Sequence, residues 1–118
     1  STQHSALFSP MALDLPTLRK LVALDVNDPL SRFALGRKLA ESSAATDLAE
    51  AAEHLAFANQ HSPQHLATYH VLGDVLIRLG RKEDARAVLQ EGVRRVAGVG
   101  EGMGRDLGPA MQRMLETL

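Results

Sequence analysis

Residues 66–96 read LATYHVLGDVLIRLGRKEDARAVLQEGVRRV, and their spacing decides the fold. Tyr69, Leu72, Gly73 and Leu76, followed by Ala85, Leu89 and Gly92, put apolar or small residues one helical turn apart in two successive runs. That pattern predicts two helices with facing seams. Gly80 falls between the runs, where a chain leaving a helix needs a positive φ. Glu83 and Asp84 then sit in the first turn of the second helix, beside its positive pole. Gly73 and Ala85 are the places where two antiparallel helices on a short turn must approach closely. A larger side chain at either is expected to overpack the crossing, at a cost of about 1–3 kcal/mol.

The same pattern stands upstream. Leu35-Gly36 precedes Leu72-Gly73 by 37 residues. Asp28 as N-cap and Pro29 at N1 open a helix carrying Phe33, Leu35, Gly36 and Leu39. Ala51, Leu55 and Ala58 mark its partner, for which Asp47 is the expected cap and Glu50 the expected second member of a capping box. Gly36 to Ala51 is 15 residues against 12 from Gly73 to Ala85, so residues 42–46 absorb an insertion of three in the turn, which loops tolerate cheaply. Ser62 and Pro63 are the expected N-cap and N1 of the next helix. Arg32 falls where the quoted stretch has its aromatic, Tyr69. Phe33 is a partial substitute, or the Arg32 stem covers the seam.

These residues resemble the tetratricopeptide repeat, whose signature is an aromatic, Leu-Gly, a large residue, then Ala, a large residue and Pro. Tyr69, Leu72-Gly73, Leu76, Ala85 and Leu89 fill those places, and Ala97 stands where the proline would be. The 37-residue spacing is the family period of about 34 residues plus the insertion. The resemblance implies an all-α fold, a right-handed α-solenoid of antiparallel helix pairs with about six helices, similar to small stand-alone bacterial proteins of this type. It divides the chain into repeats at 28–61 and 62–97.

The flanks follow from that division. Residues 1–13 show no period and are expected to form a flexible tail, with Met11 a candidate start. Asp14 and Pro16 open a helix over 14–26 whose apolar face is Leu18, Leu21, Val22 and Leu24. Leu21 lies eight residues before Pro29, as Leu55 lies eight before Pro63, so this helix matches the second half of a preceding repeat whose first helix is absent. After a Gly-rich linker at 98–105, Asp106 is expected to cap a last helix over 106–118. Leu107, Ala110, Met111, Met114, Leu115 and Leu118 would form its apolar side, laid as a lid over the open end of the stack.

Composition narrows the function. A net charge of −1 argues against a generally basic nucleic-acid binder or a polybasic membrane-surface protein, so nucleic acid is an unlikely partner. With no cysteine there is no thiol nucleophile and no Cys-based zinc site. No apolar run is long enough to span a membrane, and no leader pattern is visible. A cytoplasmic protein is the expectation, with a periplasmic one after signal removal left open. The glycine-rich linker matches no phosphate-loop motif. His61 and His65 have the spacing of a metal pair, but Ser62-Pro63 breaks the helix between them. No triad or carboxylate pair suggests catalysis, so no enzyme activity, cofactor or metal is expected.

What remains is a groove. In the family that the sequence resembles, the first helices of successive repeats line a concave surface that binds peptides or helices. Carried over from the Leu-Gly positions, its lining is Leu30, Phe33, Ala34, Arg37 and Glu41 from one helix, and Ala67, His70, Val71, Asp74, Ile77 and Arg78 from the next. Phe33, His70, Val71 and Ile77 would anchor apolar groups, with Phe33 and Ile77 as an exposed patch. Arg37, Asp74 and Arg78 would select charge, and Arg37 and Asp74 could neutralise one another across the groove. The family's clamp for a C-terminal carboxylate uses Lys and Asn. Phe33, Arg37 and Val71 stand in its places, so a chaperone tail is not the expected ligand.

The expected function is therefore non-catalytic binding of a protein or peptide partner. Two rivals remain. One is self-association, as a homodimer or scaffold, because about three units are normally needed to bury a solenoid core. The other is an acidic ligand or RNA held by Arg78, Arg81, Lys82, Arg86, Arg94 and Arg95, although several of these have a helix-terminal role open to them.

Overall fold

A computed structural model describes residues 13–99 and 105–118. Among the described residues there are six helices and no strand: α1 (Leu15–Leu24), α2 (Pro29–Leu39), α3 (Ala45–His61), α4 (Leu66–Arg78), α5 (Lys82–Val99) and α6 (Leu107–Glu116). Each packs chiefly on its neighbours in sequence, and α6 also reaches α4. This is the stacking of a helical repeat protein, in which one core runs through successive hairpins.

The seams close as their small residues require. A Cβ on Gly73 would lie 2.5 Å from Leu89 Cδ2, and one on Gly36 would lie 2.7 Å from Leu55 Cγ and 3.2 Å from the Ala51 carbonyl oxygen. Leu55, Leu89, Ala51 and Ala85 are all fully buried. The α2–α3 and α4–α5 pairs thus repeat one contact, a glycine receiving a leucine. The equivalence extends to Arg32 and Tyr69. The Tyr69 hydroxyl donates to the Pro63 carbonyl at 2.6 Å, and Arg32 Nε donates to the Val26 carbonyl at 2.9 Å, in each case six residues upstream. The Arg32 guanidinium then lies 4.3 Å from the Phe57 ring centroid on α3, so the arginine covers the seam that an aromatic covers in the second pair.

Gly80 has φ +79°, the single positive value among the described residues. The Arg81 N–H returns to the Leu76 carbonyl at 2.8 Å and the Gly80 N–H to that of Ile77 at 2.9 Å, the paired bonds of a Schellman stop. Asp14 caps α1 by accepting from the Thr17 N–H at 2.9 Å, and Asp28 caps α2 by accepting from the Leu30 N–H at 3.2 Å and the Ser31 hydroxyl at 2.6 Å. Those bonds hold both carboxyls below their ordinary pKa, led by Thr17 for Asp14 and by Ser31 for Asp28.

Several expectations are corrected. Helix α3 begins at Ala45 after Ala44, so Asp47 is inside the first turn and no capping box forms. No side chain caps α3; Ser42 orders the turn before it, accepting from the Ala44 N–H at 3.0 Å and donating to Asp47 at 2.7 Å. Glu50 instead faces Arg19 and His54. Ser62 is the C-cap of α3, and α4 starts at Leu66 behind His65, whose ring bonds the buried Thr68 hydroxyl at 2.7 Å. Asp106 occupies the N-cap of α6 but makes no side-chain cap bond. Helix α5 runs on through Gly98 to Val99, and the rest of the expected linker, 100–104, lies outside the described residues, as do residues 1–12 of the expected tail.

At the C-terminal end α6 lies over the second hairpin. Met111 is fully buried in one cluster with Tyr69 and Leu89, edged by Leu107, Met114, Leu115 and Leu118. Gly92 makes room for it: a Cβ there would sit 2.7 Å from the Met111 sulfur and from Tyr69 Cβ.

Candidate functional site

The face expected to bind a partner is made by α2 and α4. Phe33 on α2 meets the His65 ring at the head of α4 edge-on, with centroids 4.7 Å apart, and so joins the two helices. Phe33, Ala67, His70, Val71, Asp74 and Ile77 are half-buried. Phe33, Val71 and Ile77 rest against the core, so Phe33 and Ile77 do not form the exposed patch that was expected. Their inner faces stabilise the stack, and their outer faces remain accessible.

The charges are arranged differently from the expectation. Asp74 pairs with Arg78 one turn along its own helix, at 3.5 Å, and not with Arg37. Helix geometry favours that contact, since residues four apart share a face. Arg78 also donates to the Ala40 carbonyl at 2.6 Å and the Ser42 carbonyl at 2.7 Å. It therefore fastens the end of α4 to the turn after α2. Arg37 lies 6.0 Å from the Phe33 ring centroid, and among the described residues no carboxylate comes within 4.0 Å of it. It is the cation of this face that remains open to a countercharge.

A concavity lies at the edge of this face. A cleft of about 410 Å³ opens between α1 and α2, lined by Leu13, Leu18, Leu21, Leu30, Ser31, Phe33, Ala34, Arg37, Lys38, Glu41 and His65. It includes all five groove residues expected from α2 and none of those expected from α4. The residues of α1 and His65 were missed by sequence reasoning. The signal for them was Leu21, which stands where Leu55 and Leu89 stand but has no first helix among the described residues to receive it.

The basic residues of the second half are largely neutralised within their own helices. Arg81 pairs with Asp84 at 3.0 Å and Arg86 with Glu83 at 2.5 Å, while Arg94 and Arg95 both bond Glu91. The two arginines, Arg94 first, bring the Glu91 carboxyl down to about 2. Two of the described histidines are engaged with neighbours on α3: His61 stacks on Phe57 at 4.1 Å, and His54 donates to Glu50 at 3.1 Å. Among the described residues no cluster of His, Asp and Glu is placed to hold a metal ion, and no helix is long and apolar enough to cross a membrane.

Stacked antiparallel hairpins that pack on their neighbours in sequence define a helical-repeat fold. The family model of the tetratricopeptide repeat matches residues 43–98, and over that span the chain is similar to a tetratricopeptide repeat. The match takes in α3, α4 and most of α5, and leaves α1, α2 and α6 outside. Comparison with curated proteins and with solved structures gives no match. Repeats of this family generally mediate protein–protein interaction.

Proposed function

We propose that this chain is a non-catalytic binding module that takes a peptide or helix of a protein partner on the face built by α2 and α4. The match of residues 43–98 to a family of interaction repeats carries the reading. The parallel contacts of Gly36 with Leu55 and Gly73 with Leu89 support extending the repeat to residues 28–61, with 62–97 as the second unit. The half-repeat at 14–26 and the capping helix at 106–118 complete a single domain.

On this reading Phe33, His70 and Val71 meet apolar groups, Arg37 meets a carboxylate, and Leu30, Ala67, Asp74, Ile77 and Arg78 shape the rest of the surface. Arg78 and Ile77 act mainly by holding the surface in place. Two first helices make a small interface, so affinity is modest. The test is capture of a partner from the source lysate, followed by titration with Phe33→Ala and His70→Ala proteins whose melting is checked beside the parent. A loss of about tenfold or more in affinity from either supports the groove. Unchanged affinity with both removes it.

A further inference from the structure

Among the described residues, no first helix lies on the seam of α1 at the N-terminal end of the stack. Thr17, Leu21 and Leu24 of α1 occupy the places of Ala51, Leu55 and Ala58 in α3 and of Ala85, Leu89 and Gly92 in α5. Those six residues are buried against a first helix, yet Thr17 is exposed, Leu21 is 37% exposed and Leu24 is 83% exposed. Val26 and Leu30 continue the patch, so four of the five exposed large apolar side chains among the described residues lie at this one end. The fifth is Val99.

We propose that a second copy of this chain covers the seam, α1 packing antiparallel on α1 about a two-fold axis. A two-fold interface must be self-complementary, and this helix offers both parts. Leu21 is the large residue and Thr17, in the alanine place, is the small one that can receive it. A register with Leu21 of one copy opposite Thr17 of the other sets Leu24 opposite Asp14 and Asp25 opposite Leu13. Leu13 shares the 410 Å³ cleft with Arg37 and Lys38, so Leu24 enters its end and Asp25 arrives beside Arg37. Charge complementarity selects this occupant. Asp25 is exposed and accepts from the Asn27 N–H at 3.1 Å, and neither it nor Arg37 has a countercharge within 4.0 Å among the described residues.

The inference does not rest on a ligand in the groove: Arg37 belongs to both readings, Asp25 to this one alone. Sedimentation across about 1 μM to about 1 mM should show a monomer–dimer equilibrium. Arg37→Glu and Asp25→Arg should each weaken the dimer by about tenfold or more, and the double reversal should restore it. Because the chain lacks cysteine, mixing Thr17→Cys and Leu21→Cys proteins under oxidation should give a disulfide-linked heterodimer. A single-chain mass at every concentration overturns the proposal, whether the chain's own residues 1–12 or a different protein then proves to cover the seam. So does a dimer that the reversals leave unchanged.

Discussion

At its C-terminal end the stack is closed by α6, whose Met111 fills the space left by Gly92 and seals Leu89 and Tyr69 from water. At its N-terminal end α1 supplies a second helix with no first helix of its own repeat among the described residues, and Leu21, Leu24, Val26 and Leu30 face outward. The residues are alike in kind at both ends. Burial of a leucine in this fold is therefore decided by whether the chain supplies a glycine-bearing or capping helix opposite, and not by its place in the repeat pattern.

The comparison is broken most sharply at the three equivalent leucines. Leu55→Ala and Leu89→Ala should each cost about 2–5 kcal/mol by urea unfolding, while Leu21→Ala, measured at the lowest workable concentration, should cost under about 1 kcal/mol. Equal losses at all three would mean that the N-terminal seam is dry. Met111→Ala should cost about 2–4 kcal/mol, since it empties the contact under the lid. Gly73→Val should destabilise by about 1–3 kcal/mol, because the buried Leu89 cannot withdraw from the added Cβ.

Smaller effects probe how the open end is tied down. Arg78→Ala should cost about 1 kcal/mol and speed amide exchange in the turn after α2, since it removes two charged donors from the Ala40 and Ser42 carbonyls. Glu50→Gln should cost up to about 1 kcal/mol at neutral pH, through its bridge to the half-exposed Arg19 of α1. Arg19 first, with His54 behind it, brings the Glu50 carboxyl from its ordinary 4.5 to about 2. The unfolded chain therefore takes up the proton first on acidification. The contribution is full above about pH 4.5 and fades as pH falls toward 2, so parent and variant should converge in acid.

Much of the architecture was legible in the sequence, because glycine at 36, 73 and 80 has few uses inside a helical pattern. Close approach explains the first two, and a left-handed stop explains the third. Helix starts were less legible. Ser, Asp and Pro all favour such places, and at Ser42, Asp47, Ser62 and Pro63 the local signals competed until tertiary contacts chose between them. The site was half legible. Position along α2 gave Leu30, Phe33 and Arg37, but pairing depends on reach: Arg78, one turn from Asp74, takes the carboxylate that Arg37 was expected to share. The open seam of α1 was legible from Leu21 and the absent first helix, but which of its apolar residues stay exposed was not, since periodicity reports which side of a helix is apolar and is silent on whether anything lies against it.

The brace made by Arg78 has a mechanical consequence. It runs from the last turn of the second hairpin's leading helix, α4, to the enlarged bend behind α2, bridging successive units at their rim. A bend lengthened by three residues would ordinarily act as a pivot. Bolted at two carbonyls, it is tied to α4 instead, so swinging the bend away from α4 has to break two charge-assisted hydrogen bonds.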